Sequence, residues 1–252
     1  MPPSPFTLVC FAVKEEAAPF KTAIGSRPDI QILLTGMGQR NGEKSIRSAL
    51  PRTAAGWETN RRNVTGPDAP VPQRTTLTPS EHTNPSFHHS IIPSFRLVLT
   101  CGFAGALNPD LTLGTVLFSC DDAPHLQPRL VAAGARPARF HCANRVASTA
   151  AEKRVLWDAT HADAVEMESQ TIGDICREQQ IPSATIRVIL DTADEDLPLD
   201  FNFLMTADQQ MDYRKLAFSL AKSPSKIAAL LRLQKQSKAA AEKLAAVLLS
   251  IT

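Results

Sequence analysis

The sequence of 252 residues is poor in aromatic side chains and has almost no excess charge of either sign. Aromatic residues make up 6% of the chain, which disfavours the base-stacking platforms of proteins that bind single-stranded nucleic acid. The formal net charge is +2, whereas a dedicated nucleic-acid-binding domain usually carries a strongly basic face. We therefore expect no nucleic-acid partner.

Long hydrophobic runs are also missing. No apolar run approaches the roughly 18 residues that a membrane-spanning helix needs. The apolar stretch 7–13 is followed at once by Lys14, Glu15 and Glu16, and it lacks the basic flank and small-residue cleavage site of a secretory signal. We therefore interpret it as a buried strand.

Cysteine and histidine patterns typical of disulfide or metal sites are absent as well. The five cysteines form no C-x-x-C pair, and most lie in apolar stretches, where free cysteine behaves as a small hydrophobic residue. We expect a reduced, cytoplasmic protein. His88, His125 and His141 have no partners at the spacing of a closed metal site, so no metal is expected.

What the sequence does contain is a series of short β-rich apolar runs alternating with helical patterns. The runs cover residues 7–13, 30–35, 96–100, 114–119 and 185–190. The helical patterns cover residues 41–50, 149–160, 166–179 and the chain from 212 onward. Continuous apolar strands that alternate with helices are typical of an α/β fold, with a mixed or largely parallel sheet covered by helices.

We expect one domain over residues 1–252, interrupted by an insertion at about 51–93. The insertion carries seven prolines and almost no apolar periodicity. Because structureless loops of this length are uncommon in compact domains, we interpret it as a disordered surface segment. A lid over the active site is the alternative.

The segment 212–252 is predicted to be an amphipathic helical tail. Its apolar stripe consists of Ile227, Leu230, Leu231, Leu244, Val247 and Leu248. Its basic residues are Arg232, Lys235, Lys238 and Lys243. We expect the tail to pack on the domain with its basic face in solvent. Weak contact with an anionic membrane surface is the alternative.

Acidic clusters directly follow predicted strands at residues 14–16 and 191–194, and a third, at 163–168, is predicted to open a helix. Such strand ends are where an α/β sheet exposes its active site. The run 97–107 is expected to be a strand entering a turn, where Gly102, Ala104 and Gly105 would let a ligand approach the backbone. A tight structural turn would explain these small residues equally well. The phosphate-binding patterns GKS/GKT and GxGxxG do not occur.

The segments FAVKEEAAPF, LLTGMGQRNG, LTCGFAGAL, AVEMES and RVILDTAD occur in this order. With this order and spacing the sequence resembles the purine nucleoside phosphorylase/nucleosidase superfamily. Within it, the similarity is to methylthioadenosine/S-adenosylhomocysteine nucleosidases and hopanoid-associated phosphorylases. The resemblance covers nearly the whole chain apart from 51–93. It implies a three-layer α/β/α fold around a distorted mixed sheet, and cleavage of the N-glycosidic bond of a purine nucleoside.

The resemblance also implies roles for individual residues. Asp191 matches the acid that protonates N7 of the departing base, and Glu16 matches the glutamate that orients the attacking water. Glu168 matches the residue that holds the ribose hydroxyls, with Met167 packed against sugar and base. Phe201 falls where the nucleosidases place an aromatic ring over the ligand.

Three further positions depart from the family pattern although they belong to the implied substrate site. Phe103, between Gly102 and Ala104, stands where many members carry Ser or Thr near the nucleophile. Leu190 replaces the usual Ser before the acid. Val146, after Arg145, replaces part of a Phe-Ile pair beside the adenine, which resembles the hopanoid-associated branch.

The nucleophile is expected to be water. Thr100 stands where hexameric phosphorylases place a phosphate-binding arginine, and Arg40, the nearest basic candidate, is better explained as a surface charge. The predicted function is adenine release by hydrolysis of a 5′-substituted adenosine, without a cofactor, in a homo-oligomer that is expected to be a dimer. The alternatives are cleavage of a hopanoid-linked nucleoside, phosphorolysis with inorganic phosphate as co-substrate, and a silent nucleoside-binding protein.

Overall fold

The computed structural model describes residues 6–50, 95–206, 208–209, 212–223 and 225–252. The predicted insertion at 51–93 lies outside the described residues, so its disorder and the alternative of a lid both stay predictions.

The centre of the molecule is a mixed sheet with the strand order β2-β1-β3-β8-β4-β5. β1, β2, β3 and β8 run parallel, whereas β4 is antiparallel to β8. β7 pairs antiparallel with the end of β3, and β6 runs parallel to β7. The strands are β1 Phe6–Phe11, β2 Ile30–Leu34, β3 Phe95–Ala106, β4 Val116–Ser119, β5 Arg136–Pro137, β6 Phe140–Cys142, β7 Ala164–Glu166 and β8 Ser183–Asp191.

Helices cover both faces of this sheet. They are α1 Lys14–Ile24, α2 Gln39–Ala49, α3 Gln127–Ala132, α4 Ala150–Thr160, α5 Ser169–Glu178, α6 Phe201–Leu204, α7 Tyr213–Lys222 and α8 Ser225–Ile251. One hydrophobic cluster joins the sheet to α1, α3 and α8, and a second joins its other face to α2 and α5. The predicted three-layer α/β/α fold with a mixed sheet is therefore confirmed.

Two local predictions are wrong. The expected turn at Gly102–Gly105 is part of β3, which continues to Ala106 because it stays paired with β8 and then with β7. The acidic segment 163–168 does not simply open a helix: Ala164–Glu166 forms β7, and α5 begins only at Ser169. Short-range pattern alone does not reveal either pairing, since both depend on strands distant in sequence.

The tail forms α7 and α8. Leu244 and Leu248 of α8 are fully buried, whereas Ile227 and Leu231 are 45% and 60% exposed. Only the C-terminal half of the predicted apolar stripe therefore packs against the domain. No helix in the described part of the chain is long and apolar enough to cross a membrane. Contact with a membrane surface and dimer formation stay predictions.

Candidate active site

The candidate site lies at the carboxyl ends of the parallel strands β1, β3 and β8. Glu16 is in the first turn of α1, directly after β1, and Asp191 is the last residue of β8. Glu168 lies between β7 and α5. All three residues are buried, with 5–8% of each residue's surface exposed. Polar groups at the ends of parallel strands are the usual material of an α/β ligand site.

Glu16 is held by backbone N–H groups on two sides. Its Oε2 accepts hydrogen bonds from the N–H groups of Ala12 and Val13, at 3.0 and 3.2 Å. Its Oε1 accepts one from the N–H of Phe103 on β3, at 2.8 Å. Burial raises the pKa of Glu16 to about 7, although Arg187 and these N–H groups oppose the rise. Glu16 is therefore a fixed carboxyl that can exchange a proton near neutral pH.

Arg187 connects the other carboxylates. Its Nη2 lies 2.5 Å from Oε2 of Glu166 and 3.2 Å from Oε2 of Glu168. The second oxygen of Glu168 accepts the N–H of Gly38 at 2.7 Å, and Glu166 also accepts both the N–H and the hydroxyl of Ser169. The Nε of Arg187 is buried and has no hydrogen-bond partner among the described residues.

The cluster of Arg187 with Glu16, Glu166 and Glu168 contains more carboxyl groups than cations. Burial works against the charged guanidinium of Arg187, but Glu166, Glu168 and Glu16 raise its pKa above the ordinary value. Burial also raises the pKa of Glu168, which Arg187 lowers in turn. One cation thus faces three carboxyl groups. When all three are ionised, the cluster can stabilise positive charge on a ligand.

Gly102 allows this cluster to form against β3. A Cβ atom at position 102 would lie 2.7 Å from Nη1 of Arg187 and 2.7 Å from Oε1 of Glu16. Any side chain there would displace one of the two charged groups. The backbone of β3 therefore forms one wall of the cluster, as the small residues of this strand suggest in the sequence.

Asp191 has a different environment. Its Oδ2 lies 2.5 Å from the Nζ of Lys153, which is fully buried. Gly105 leaves room for this carboxyl, because a Cβ there would lie 3.0 Å from Oδ2. Burial raises the pKa of Asp191, and Lys153 opposes the rise.

Other residues of the predicted substrate site lie next to Glu168 in the sequence or on β3. Met167 and Ala104 are buried, at 8% and 5% exposed. The side chain of Phe103 packs against the hydrophobic cluster under α1, α3 and α8, so only its backbone N–H reaches Glu16. Position 103 therefore contributes a main-chain donor to the carboxylate of Glu16 and no side-chain hydroxyl.

Val146 and Phe201 belong to two segments that are tied together. The side chain of Asn202 accepts the N–H of Val146 and donates to its carbonyl oxygen, both at 2.9 Å. Phe201, the first residue of α6, is half-buried beside this clamp. Asn202 thus joins the segment of Val146, which the resemblance places beside the adenine, to the segment of Phe201, which it places over the ligand.

The remaining members of the three acidic clusters lie elsewhere. Lys14 and Glu15 form an exposed pair at 3.9 Å. Asp163 accepts hydrogen bonds from the N–H of Arg139 and the side-chain amide of Asn108. Asp194 is exposed. The described residues contain no group of three or more His, Cys, Asp or Glu side chains suited to hold a metal ion.

Sequence patterns do not single out Lys153, and they include Glu166 and Arg187 only as members of the segments AVEMES and RVILDTAD. A charged residue within the apolar strand 185–190 is a usable signal of a buried ion pair. Lys153 gives no such signal, because Glu152 and Arg154 make it look like part of an exposed helix face.

The raised pKa of Glu16 predicts a pH-dependent stability. In the unfolded chain Glu16 ionises near its ordinary pKa of 4.5, but in the native protein only near 7. Between these values the native state holds a proton that the unfolded state has lost, so rising pH favours unfolding. Relative to Glu16→Gln, the wild type should lose about 3 kcal/mol of unfolding free energy from pH 4.5 to above 7.

The measurement is urea denaturation of both proteins across this pH range. Glu15→Gln is the control, since Glu15 is an exposed neighbour and its substitution should leave the wild-type pH profile unchanged. A constant difference between wild type and Glu16→Gln at all pH values would contradict the prediction.

Residues 139–232 match the phosphorylase superfamily. No curated protein matches the chain in sequence. The fold is similar to that of 5′-methylthioadenosine/S-adenosylhomocysteine nucleosidase from Helicobacter pylori, with a TM-score of 0.59, 14% identity, and coverage of 98% of this chain and 97% of that chain.

Two more solved structures are similar over comparable lengths. Futalosine hydrolase of Helicobacter pylori has a TM-score of 0.57 and 14% identity, and 97% of each chain is covered. The nucleosidase from Neisseria meningitidis has a TM-score of 0.58 and 14% identity, with 98% of this chain and 97% of that chain covered. The match over residues 139–232 agrees with the superfamily that the sequence motifs predict, and the three solved structures are similar to this chain in fold.

Proposed function

We propose that this protein is a nucleosidase that hydrolyses the N-glycosidic bond of a 5′-substituted adenosine and releases adenine. The observation that carries the proposal is the joint placement of Glu16, Arg187 and Glu168 in one buried cluster, with Asp191 four residues beyond Arg187 at the end of the same strand. The names of two of the similar solved proteins, nucleosidases for methylthioadenosine and S-adenosylhomocysteine, support the substrate class.

Asp191 is assigned the role of general acid. As the bond between C1′ and N9 breaks, its electron pair moves into the purine, which is a poor leaving group as an anion. Protonation of N7 by the carboxyl of Asp191 neutralises the departing base. The burial that raises the pKa of Asp191 favours the protonated form that this role requires.

The Glu166–Arg187–Glu168 network is assigned the role of binding the ribose and stabilising its developing charge. Glu168 is oriented from both sides, by the N–H of Gly38 and by Arg187, so its carboxylate can accept ribose hydroxyls in a fixed position. The ribose develops positive charge as C1′ loses the base, and a net negative cluster beside it stabilises that charge. Glu166 supports Glu168 through Arg187.

Glu16 is assigned the role of general base for the water that attacks C1′. Its ionised carboxylate accepts a proton from the water that attacks C1′, which gives a free ribose derivative and adenine as products. A pKa of about 7 lets Glu16 accept this proton at neutral pH. The buried Nε of Arg187, which has no hydrogen-bond partner in the described part of the chain, is a candidate donor to the same water.

The charge of the cluster supports water rather than phosphate as the nucleophile. A phosphate at this position would face Glu16, Glu166 and Glu168, and Arg187 is already engaged by two of them. Like charges at close range in a buried site are strongly unfavourable. Arg40, the other basic candidate, is exposed.

The test is adenine release from methylthioadenosine, S-adenosylhomocysteine and adenosine, each with and without inorganic phosphate. We expect release from at least one 5′-substituted adenosine, at a rate independent of phosphate and with the free ribose derivative as the second product. Release only with phosphate, or a ribose 1-phosphate product, would contradict hydrolysis and favour a phosphorylase. No release from any substrate would favour a lipid-linked nucleoside or a binding protein.

A further inference from the structure

Lys153 contacts the proposed general acid, Asp191, but has no role in the proposed reaction so far. It lies in the first turns of α4, between the partly exposed Glu152 and the exposed Arg154, yet its own side chain is 0% exposed. Its Nζ lies 2.5 Å from Oδ2 of Asp191. It also donates to the carbonyl oxygens of Thr192 and Glu195, both at 2.6 Å. Three acceptors therefore take up the three ammonium hydrogens.

A lysine in such a position has a large desolvation cost. Fully buried lysines are rare unless they are paired, because the charged amine loses its hydration shell. The contacts that offset this cost all lie at the end of β8 and in the chain directly after it. Lys153 therefore fixes one carboxyl oxygen of Asp191 relative to the backbone that follows it.

We infer that Lys153 is a positioning residue for Asp191: its ammonium holds Oδ2 so that the other oxygen, Oδ1, is presented to N7 of the purine. The inference rests on the proposed function, in which Asp191 is the general acid. A carboxyl with both oxygens free to rotate would spend little time in a productive orientation, so fixing one oxygen lowers the barrier to proton transfer.

The same contact sets the charge around the acid. The groups near Asp191 are Lys153 from α4, Glu195 and Asp196 from the segment after β8, and Arg232 from α8; the last three line a cavity of about 200 Å³ that Asp191 adjoins. Burial and Glu195 raise the pKa of Asp191, whereas Lys153 lowers it. Without Lys153 the carboxyl would hold its proton to a higher pH.

The pH dependence of activity distinguishes a positioning role of Lys153 from a merely structural one. In the proposed mechanism Asp191 works in its protonated form, so activity falls as pH rises through its pKa. This fall is the descending limb of the pH–rate profile. Removing the ammonium of Lys153 should both lower kcat and move the descending limb to higher pH. Loss of packing alone would lower activity without moving the limb.

The experiment uses two substitutions of Lys153 and a matched control. Lys153→Gln keeps a hydrogen-bond donor but removes the charge, and Lys153→Met removes both the donor and the charge. Arg154→Gln removes the same charge from the exposed neighbour on α4. Melting temperatures identify any variant that fails to fold.

For Lys153→Gln we expect kcat for adenine release to fall at least about tenfold with KM changed little, and the descending limb to move up by about one to three pH units. Arg154→Gln should match the wild type in both. If folded Lys153→Gln keeps the wild-type limb, whether or not kcat falls, the inference is wrong.

A second readout does not depend on turnover. The pKa of the Asp191 carboxyl, followed by carbon-13 NMR and assigned with Asp191→Asn, should rise in Lys153→Gln. If the wild type releases no adenine, the proposed function fails while this titration still decides whether Lys153 controls Asp191. An unchanged pKa would overturn the inference even if the enzyme is active.

Discussion

Asp191→Asn should lower the rate constant of adenine release by about a hundred- to ten-thousand-fold, the usual contribution of a positioned general acid. Asparagine has nearly the same shape but cannot deliver a proton to N7. Because the sugar network of Glu166, Glu168 and Arg187 is untouched, binding of the nucleoside should persist. Single-turnover kinetics and calorimetric titration with the same substrate measure the two effects separately.

Asp194→Asn is the matched control for this substitution, since Asp194 lies three residues away and is exposed. It should keep wild-type turnover. Lys153 loses its charged partner in Asp191→Asn but keeps the carbonyl oxygens of Thr192 and Glu195, so a melting curve must accompany the kinetics. Wild-type turnover by folded Asp191→Asn would mean that another group, or none, protonates the base.

Arg187→Met should have the largest effect on stability, lowering the free energy of unfolding by about 3–5 kcal/mol. Methionine fills much of the space, but it leaves Glu166 and Glu168 buried without the cation that bridges them, and Glu16 loses its nearest positive charge. Urea denaturation at neutral pH measures the loss. The loss should shrink at acid pH, where the carboxyl groups are protonated.

The control is Arg47→Met. Arg47 also contacts two carboxylates, those of Glu43 and Glu178, but its side chain is 46% exposed. Exposed pairs of this kind contribute about 0–1 kcal/mol, so its loss should be small. Similar losses for both variants would show that burial of the Arg187 cluster does not determine its energy.

The sequence predicts the fold class, and it places Glu16 and Asp191 at the ends of strands, as the structure does. Both predictions are possible because a buried strand appears in the sequence as a continuous apolar run. The apolar runs 7–13 and 185–190 mark β1 and β8, and the acids that follow them are Glu16 and Asp191. These positions follow from topology: parallel strands bring their carboxyl ends to one edge of the sheet.

What the sequence could not predict depends on contacts between distant segments. β3 continues through Gly102 because β8 and β7 pair with it there, and no local pattern reports those partners. The burial of Lys153 depends on its contacts with Asp191, which lies 38 residues later in the chain at the end of β8, and with the residues that follow Asp191. A lysine between Glu152 and Arg154 reads as exposed until that contact is known.

The glycines of β3 also restrict how this protein could be redesigned. At Gly102 and Gly105 the main chain itself meets Glu16, Arg187 and Asp191, so any larger residue there collides with the groups that the reaction is proposed to need. These two positions offer no side chain that can be exchanged to admit a different nucleoside. Directed evolution for new substrates should therefore find its productive changes on the opposite side, in the Val146 and Phe201 segments that Asn202 joins.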